Sequence, residues 1–481
     1  MTLPSLLTSG LPLTKLTADS RQVSAGSVFV AYPGEAKDGR DYIEQAVKQG
    51  ASVVLWEQQN FAWDPSLKVA NQGVANLKHK IGEIASEFYG LPSEKLWVIG
   101  VTGTNGKTTC SHWLAQAFSQ LNQKVAVVGT LGNGILDADV PLSTTLNTTP
   151  DPILLHAMLA DYVQHQAKVV AMEVSSHGLD QGRVNGVQFD VAVFTNLTRD
   201  HLDYHGDMEA YAAAKKKLFD WNDLKHVVLN IDDAFGAQLA EELRVKNKAV
   251  MTYGLSSNAD VYAEHLSMTE RGITMQVNTP FGLTHLTAEV LGEFNAYNLL
   301  AVLTTLLVSD VSLQDAVDAV SKVKPVAGRM QQYGGGKMPL VVIDYAHTPD
   351  ALAQVLKSLR PQTKGELTCV FGCGGDRDQG KRPLMAKVSS DLADHVVITS
   401  DNPRNESPAL IIEAVVSGAG ANAKVIEDRA QAIVLSIKQA HAGDVVLVAG
   451  KGHENYQEIA GVKYPFSDAD VVKSALEEMA A

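Results

Sequence analysis

The stretch Leu96-Trp97-Val98-Ile99-Gly100-Val101-Thr102-Gly103-Thr104-Asn105-Gly106-Lys107-Thr108-Thr109 constrains this chain more than any other. It opens as an apolar, β-branched run, the composition of a buried parallel strand. It breaks at glycines and resumes as Cys110-Ser111-His112-Trp113-Leu114-Ala115-Gln116-Ala117-Phe118, with apolar residues at helical spacing. Strand, glycine-rich turn and helix together hold phosphate, because backbone N–H groups converge on it and the helix N-terminus adds favourable partial charge. Lys107 supplies a point charge for outer phosphates, and the Thr108 hydroxyl is placed to ligate magnesium. The usual loop has a glycine five positions before its Gly-Lys pair, where this chain has Val101. A tight turn alone would explain Gly103 and Gly106 but not Lys107-Thr108 at the helix mouth. A nucleoside triphosphate site is predicted.

At 481 residues the chain exceeds one ordinary core and predicts two to four domains. A net charge of −14 argues against a broad surface for nucleic acid or anionic membrane, though not against a local basic pocket. No apolar run approaches the length of a membrane span, and the N-terminus lacks the basic-then-apolar pattern of a signal peptide. Three cysteines, Cys110, Cys369 and Cys373, form neither a disulfide framework nor a zinc set, which fits a reducing cytoplasm.

Periodicity and breakers divide the chain into three α/β regions at residues 1–90, 91–324 and 325–481. The first carries strands at residues 27–32 and 51–56, a helix at 42–49 between them, and a second helix predicted over 74–88. The second alternates apolar strands (124–128, 168–173, 190–195) with helical segments, the pattern of a doubly wound, mostly parallel sheet with functional groups at its strand ends. Strand-like alternation over 261–291 predicts an antiparallel insertion, followed by an apolar helix over 295–308. The third region, expected to be a Rossmann-like α/β domain, has strands at 340–344, 367–371, 395–399 and 444–449 but no phosphate loop, so a substrate-binding or lid role is expected rather than a second triphosphate site.

Glu173 ends one buried strand, and beside a phosphate loop such an acid commonly completes a magnesium shell. His201 follows another strand, within Thr198-Arg199-Asp200-His201-Leu202-Asp203-Tyr204-His205-Gly206, and is a candidate ligand for a second metal. Lys215-Lys216-Lys217, on a helix over 209–219, reads by itself as a solvated charge run.

Five motifs then carry a resemblance: Gly103 to Thr109, Glu173-Val-Ser-Ser-His-Gly178, Asn196-Leu-Thr-Arg-Asp-His-Leu-Asp-Tyr-His-Gly-Asp207, Asp344-Tyr-Ala-His-Thr-Pro349 and Gly450-Lys-Gly-His-Glu454. Together they resemble the Mur ligases, ATP-dependent amide-forming enzymes of peptidoglycan precursor synthesis, across all three regions. Asp401-Asn402-Pro403-Arg404 is similar to the signature of members that add meso-diaminopimelate rather than lysine. Arg404 and Arg377 suit bidentate grip of the carboxylate that lysine lacks.

The resemblance implies a cytoplasmic, monomeric enzyme using ATP and Mg2+ on UDP-N-acetylmuramoyl-L-alanyl-D-glutamate and meso-diaminopimelate. It assigns Gly103, Thr104, Asn105, Gly106, Lys107, Thr108, Thr109, Asn295, Asn298, Arg329, Asp344 and His347 to ATP. Ala18, Ser20, Glu35, Ala36 and Lys37 would hold the uridine nucleotide, and Asn147, Thr148, Thr149, Ser175, Gln181 and Arg183 the muramoyl peptide. Arg377, Asp401, Asn402, Pro403, Arg404, Gly450 and Glu454 would contact diaminopimelate. Lys107, Lys215, His201 and Glu173 are the implied catalytic residues; Thr108, Glu173, His201 and Lys215, the last as a carbamate, are the implied metal ligands. A carbamate forms from the neutral amine, so the site must depress the lysine pKa. Two sister activities stay open on the same ATP core, D-alanyl dipeptide addition and folylpolyglutamate synthesis, and Asp401 to Arg404 speaks against both. A P-loop regulatory ATPase would hydrolyse ATP independently of any amino acid, and a simple nucleotide-binding module would leave Glu173, His201 and the third region without a role.

Overall fold

In the computed structural model, which describes residues 12–34, 37–136, 140–144, 147–269 and 272–480, β-branched runs form buried strands and amphipathic segments cover them. The chain divides into two units. One comprises the chain up to Gly100 with residues 123–190 and 217–224; the other comprises residues 101–122, 191–216 and 225–481.

The first unit begins with four parallel strands in sequence order: β1 (Lys15–Thr17), β2 (Ser27–Ala31), β3 (Val53–Glu57) and β4 (Ala70–Val74). One face packs Leu16, Val28, Val30, Val53 and Leu55 against Leu77, Ile81, Ile84 and Ala85 of α2 (Leu77–Phe88). The opposite face packs Phe29, Ala31 and Val54 on Ile43 and Ala46 of α1 (Ile43–Lys48). The helix predicted from residue 74 therefore starts at Leu77. Residues 70–74, too polar to read as a strand, pair with β3 as β4. The rest of the unit orders β5 (Trp97–Thr102) beside β8 (Val169–Glu173), then β6 (Val125–Gly129) and β7 (Gly132–Ile135). β6 runs parallel to β8, and β7 is an antiparallel edge.

The last two residues of β5 belong to the second unit, where the Thr195 N–H donates to the Thr102 carbonyl (3.0 Å). There β9 (Val191–Phe194), β10 (His226–Asn230), β11 (Val250–Gly254) and β12 (Val261–Thr269) run parallel. β13 (Gly272–Thr279) and β14 (Gly282–Ala288) then pair antiparallel, forming the expected insertion. Helix α3 (Lys107–Gln120) follows the phosphate loop, and the apolar α9 (Glu293–Val308) packs on it.

The same unit holds a second sheet. Its strands are β15 (Gln331–Gly334), β16 (Leu340–Asp344), β17 (Leu367–Phe371), β18 (His395–Ile398), β19 (Ala423–Val425) and β20 (Val445–Ala449), in spatial order β15-β16-β20-β17-β18-β19. All but the edge strand β15 are parallel. Hydrophobic layers cover both faces, so the chain is α/β with mostly parallel, doubly wound sheets. Cys110, Cys369 and Cys373 are buried, and burial pushes the Cys369 and Cys373 thiols up to about 12. Among the described residues no helix is long and apolar enough to cross a membrane.

Candidate active site

The phosphate loop is shaped by what glycine lacks. At Gly103 φ is +151°, and a Cβ would run into the Thr195 hydroxyl; at Gly106 φ is +86°, and a Cβ would sit 2.6 Å from Asn298 Oδ1. The segment after β9 holds the loop from one side. Asn196 O accepts from the Thr104 N–H (2.8 Å), Asn196 Oδ1 from the Asn105 N–H (3.0 Å), and Thr195 Oγ1 donates to the Asn105 carbonyl (2.6 Å). Helix α3 starts at Lys107 with Thr108 and Thr109 buried in its first turn.

Two lysines meet on this loop. Lys107 Nζ donates to the carbonyls of Gly103 and Thr104 (2.8 Å each), and Lys215 Nζ donates to the same Gly103 carbonyl (2.7 Å). Lys215 is only 1% exposed and lies 4.4 Å from the centroid of the Tyr211 ring, one turn earlier on α7 (Met208–Lys216). The charge-run reading is thus wrong for this residue: the helical turn carries Lys215 inward with Tyr211 and Ala214. Lys216 pairs with Glu242 (2.6 Å), and in the other unit Lys217 pairs with Asp180 (2.8 Å). Burial, reinforced by the Lys107 charge and opposed by Asp200, holds Lys215 well below the ordinary lysine range. The neutral amine, the form from which a carbamate is made, is thereby easier to reach.

His201 sits at φ +54° before the short helix α6 (Leu202–His205), with Nε2 3.4 Å from Asp200 Oδ2. Desolvation lowers its pKa; Asp200 raises it, and Lys107 and Lys215 lower it further.

Arg329 brings the region after α9 to the loop. Its Nη2 donates to Thr108 Oγ1 (3.4 Å) and its guanidinium stacks 4.5 Å over the Tyr345 ring, while its buried Nε has no partner among the described residues. His112 Nε2 and His453 Nδ1 are likewise buried with no partner among the described residues, and burial takes both imidazoles down to about 4. Asn298 Nδ2 donates to Asn295 Oδ1 (2.9 Å), and Cys110 Sγ donates to Asn298 Oδ1 (3.4 Å). Asp344 accepts from the Met330 and Ala346 N–H groups (2.8 Å each), and burial raises its carboxyl. His347 Nδ1 lies 2.8 Å from the Tyr345 carbonyl, and burial lowers its pKa. The expected ATP residues of this unit are therefore gathered around the loop with Arg329 as the link.

In the first unit, Glu173 is 1% exposed at the end of β8 and accepts from the Thr130 N–H (2.7 Å) and the Thr130 hydroxyl (3.2 Å). Thr149 Oγ1 donates to the Glu173 carbonyl (3.0 Å) and accepts from the Ser175 N–H (3.0 Å); Ser175 caps α5 (Ser176–Asp180). Arg183 bonds the Thr149 carbonyl (3.0 Å) and Gln181 Oε1 (2.6 and 2.9 Å), so these candidates form one polar cluster. Thr130 Oγ1 lies 3.1 Å from Thr148 Oγ1, extending that cluster, and Asn147 is exposed. Ser20 is buried, with its hydroxyl 3.4 Å from Gln45 Oε1; Ala18 is exposed, and Lys37 closes a turn by accepting from the Gly34 N–H (2.8 Å). Glu35 and Ala36 lie outside the described residues.

The remaining candidates gather at the carboxyl ends of β18 and β20. Arg404, at φ +52°, donates through Nη1 to the Gly375 carbonyl (2.7 Å), and its Nε lies 3.7 Å from Glu458 Oε2. Arg377 is exposed, with Nη1 donating to the Asp376 carbonyl (3.4 Å). Asp401 Oδ1 accepts from the Asn402 N–H (2.6 Å), and a Cβ on Gly450 would stand 2.9 Å from Asp401 Oδ2. Asn402 Nδ2 donates to Glu454 Oε2 (2.8 Å), joining the two strand-end loops, with buried Pro403 between Asn402 and Arg404.

Residue-by-residue reading missed Lys451, Arg429 and Asp468. Arg429 and Asp468 are fully buried and bonded bidentately (2.7 Å twice), and Arg429 also donates to the carbonyls of Ala449 (2.9 Å) and Ser400 (3.4 Å), each one residue before a candidate loop. No local pattern marks a pair 39 residues apart. Among the described residues no three His, Cys, Asp or Glu side chains form a ready metal cage.

Three family models match most of the chain: "Mur ligase family, catalytic domain" over residues 12–89, "Mur ligase middle domain" over 101–306, and "Mur ligase, glutamate ligase domain" over 328–452. The chain is 54% identical, over 98% of its length and 96% of the relative's, to a Chromobacterium violaceum protein named UDP-N-acetylmuramoyl-L-alanyl-D-glutamate–2,6-diaminopimelate ligase. A solved structure of a ligase with that name superposes with a TM-score of 0.72 at 40% identity, covering 98% of this chain and 96% of the other. The Thermotoga maritima MurF ligase in complex with ADP shares the fold at 18% identity, with a TM-score of 0.65 and 98% of each chain covered.

Proposed function

The chain belongs to the Mur ligase family, and from that membership we propose that it joins meso-2,6-diaminopimelate to the D-glutamate of UDP-N-acetylmuramoyl-L-alanyl-D-glutamate using ATP, in the cytoplasm. The observation that carries the choice of amino acid is the meeting of the 401–404 and 450–454 loops. They bond Asn402 to Glu454 and bring the Asp401 carboxylate against Gly450, and the same 401–404 loop carries the Arg404 guanidinium. Diaminopimelate ends in a second ammonium and a second carboxylate, which want an acid and a guanidinium respectively; lysine offers only the first.

The reaction runs in two displacements. A carboxylate oxygen of the D-glutamate side chain attacks the γ-phosphorus of ATP, and ADP leaves, giving an acyl phosphate. The amine of diaminopimelate then attacks the acyl carbon, a proton leaves the nitrogen, and the tetrahedral intermediate expels phosphate. Lys107 offsets the charge on the transferring phosphoryl group, and much of the rate comes from holding nucleophile and electrophile aligned.

The loop fits a triphosphate: its glycines keep the space a Cβ would fill, and Arg329 Nε, close to Thr108, is a buried donor with no acceptor among the described residues. The Thr108 hydroxyl, Glu173, His201 and Lys215 as its carbamate are the residues assigned to magnesium. Bound there, the ion supplies Lewis-acid polarisation of phosphoryl oxygens. Ser20, Lys37, Thr148, Thr149, Ser175, Gln181 and Arg183 are assigned to the sugar nucleotide. Residues 1–90, 91–324 and 325–481 are assigned to nucleotide-sugar binding, ATP chemistry and amino-acid binding. The test is phosphate release with the UDP-muramoyl dipeptide, ATP, Mg2+ and a panel of amino acids. Release that depends on diaminopimelate is expected; release indifferent to the amino acid would mark a plain ATPase.

A further inference from the structure

Lys451 lies two residues past the end of β20, and its side chain is fully buried. A lysine ammonium in such a place must be paired, because an unpaired buried charge costs several kcal/mol. Its Nζ donates to Asn402 Oδ1 (3.0 Å) and Glu454 Oε2 (2.9 Å), and it lies 5.6 Å from the centroid of the Tyr456 ring. The same two acceptors are fixed from other sides. Asn402 Nδ2 donates to Glu454 Oε2 (2.8 Å), and the Glu458 N–H donates to Asn402 Oδ1 (3.0 Å). Every hydrogen bond recorded for the Glu454 carboxylate therefore falls on Oε2. Oε1 carries none among the described residues, and the side chain retains 17% exposure.

We propose that Lys451 is a positioning residue for the incoming amino acid: it draws Oε2 of Glu454 inward and locks the Asn402 amide, so that Oε1 is presented to the ammonium at the far end of a diamino acid. This rests on the functional reading above. Stability alone is a weak reason for the arrangement, since a buried ion pair roughly breaks even against well-packed apolar side chains. Orientation is a stronger one. A glutamate carboxylate with a free terminal torsion would spread its lone pairs over a wide arc. With two donors on one oxygen it offers a single direction, and directionality is what a preorganised site contributes to affinity. The ammonium bridges its own loop to Asn402 on the other, so it also fixes the distance from Glu454 to the backbone that carries Arg404.

The test is steady-state phosphate release by the full chain with each of the three substrates varied in turn, for wild type and Lys451→Met, which keeps length and apolar volume. The expected split is a KM for diaminopimelate raised about tenfold or more, with the KM values for ATP and the UDP-muramoyl dipeptide within about twofold and kcat at saturation within about threefold. Lys451→Gln, which keeps one donor, is expected to fall between, and it carries the test if a thermal melt shows Lys451→Met unfolded. An unchanged KM for diaminopimelate in a folded variant, or an equal rise in all three KM values, overturns the inference. Wild type without diaminopimelate-dependent release overturns the functional reading instead, so the two failures are distinct.

Discussion

Arg429→Met removes a guanidinium that makes four hydrogen bonds in a fully buried site: Nε to Asp468 Oδ1 and Nη2 to Asp468 Oδ2 at 2.7 Å, Nη2 to the Ala449 carbonyl at 2.9 Å, and Nη1 to the Ser400 carbonyl at 3.4 Å. Both partners are 0% exposed, so solvent screening takes little from the interaction. Losing one partner strands the Asp468 carboxylate with no counter-charge, a change worth about 3–5 kcal/mol. The double replacement Arg429→Met/Asp468→Leu deletes the charge along with its partner and should recover most of that cost. A chain of several domains does not unfold in two states, so the readout must be local. Hydrogen exchange at the Val446 and Val448 amides in the centre of the second sheet supplies it, and about 3–5 kcal/mol is a loss of about 10²- to 10⁴-fold in protection. A single variant that loses less than tenfold, or a double variant that loses as much as Arg429→Met alone, would refute the argument.

Arg404→Ala should raise the KM for diaminopimelate about 10²-fold, consistent with loss of a charge-assisted pair, while ATP binding measured by calorimetry stays within about twofold. Lys215→Ala should lower kcat at least about 100-fold, and short carboxylic acids should restore part of it by supplying an oxygen where the carbamate would stand. His156 is fully buried, with Nε2 2.9 Å from the Asn185 carbonyl, and burial takes it to about 4. The unfolded chain then binds more protons between about pH 6.5 and pH 4. Stability therefore falls as pH drops through that window, by about 3 kcal/mol for this group. Hydrogen-exchange protection at the amides of residues 152–164 should fall less between pH 7 and pH 4.5 for His156→Phe than for wild type.

What the sequence disclosed depended on whether the deciding interactions were local. The phosphate loop is one contiguous strand-turn-helix, so its glycines, lysine and threonine could be placed before any fold was known, and the strands at 340–344 and 367–371 fall where their apolar runs do. Strand β4, Ala-Asn-Gln-Gly-Val, has no apolar run; it is a strand because β3 lies beside it. Lys215 looked like its two neighbours until helix rotation separated them, although Tyr211 and Ala214 at helical spacing were the available hint. Arg429, Asp468 and Lys451 answer to partners far along the chain, and a single sequence gives no sign of such pairing.

The chain crosses from one unit to the other five times, first between Gly100 and Val101 inside strand β5. Neither unit can therefore be released by one proteolytic nick or expressed as one continuous fragment, and a cut at the first crossing would split a strand between two pieces. Each unit must also close loops whose ends are many tens of residues apart before its strands can pair, which favours slow folding. Circular permutation is better attempted at the hairpin tip between β21 (Tyr456–Ile459) and β22 (Val462–Pro465), where Gly461 is exposed and a Cβ would meet nothing.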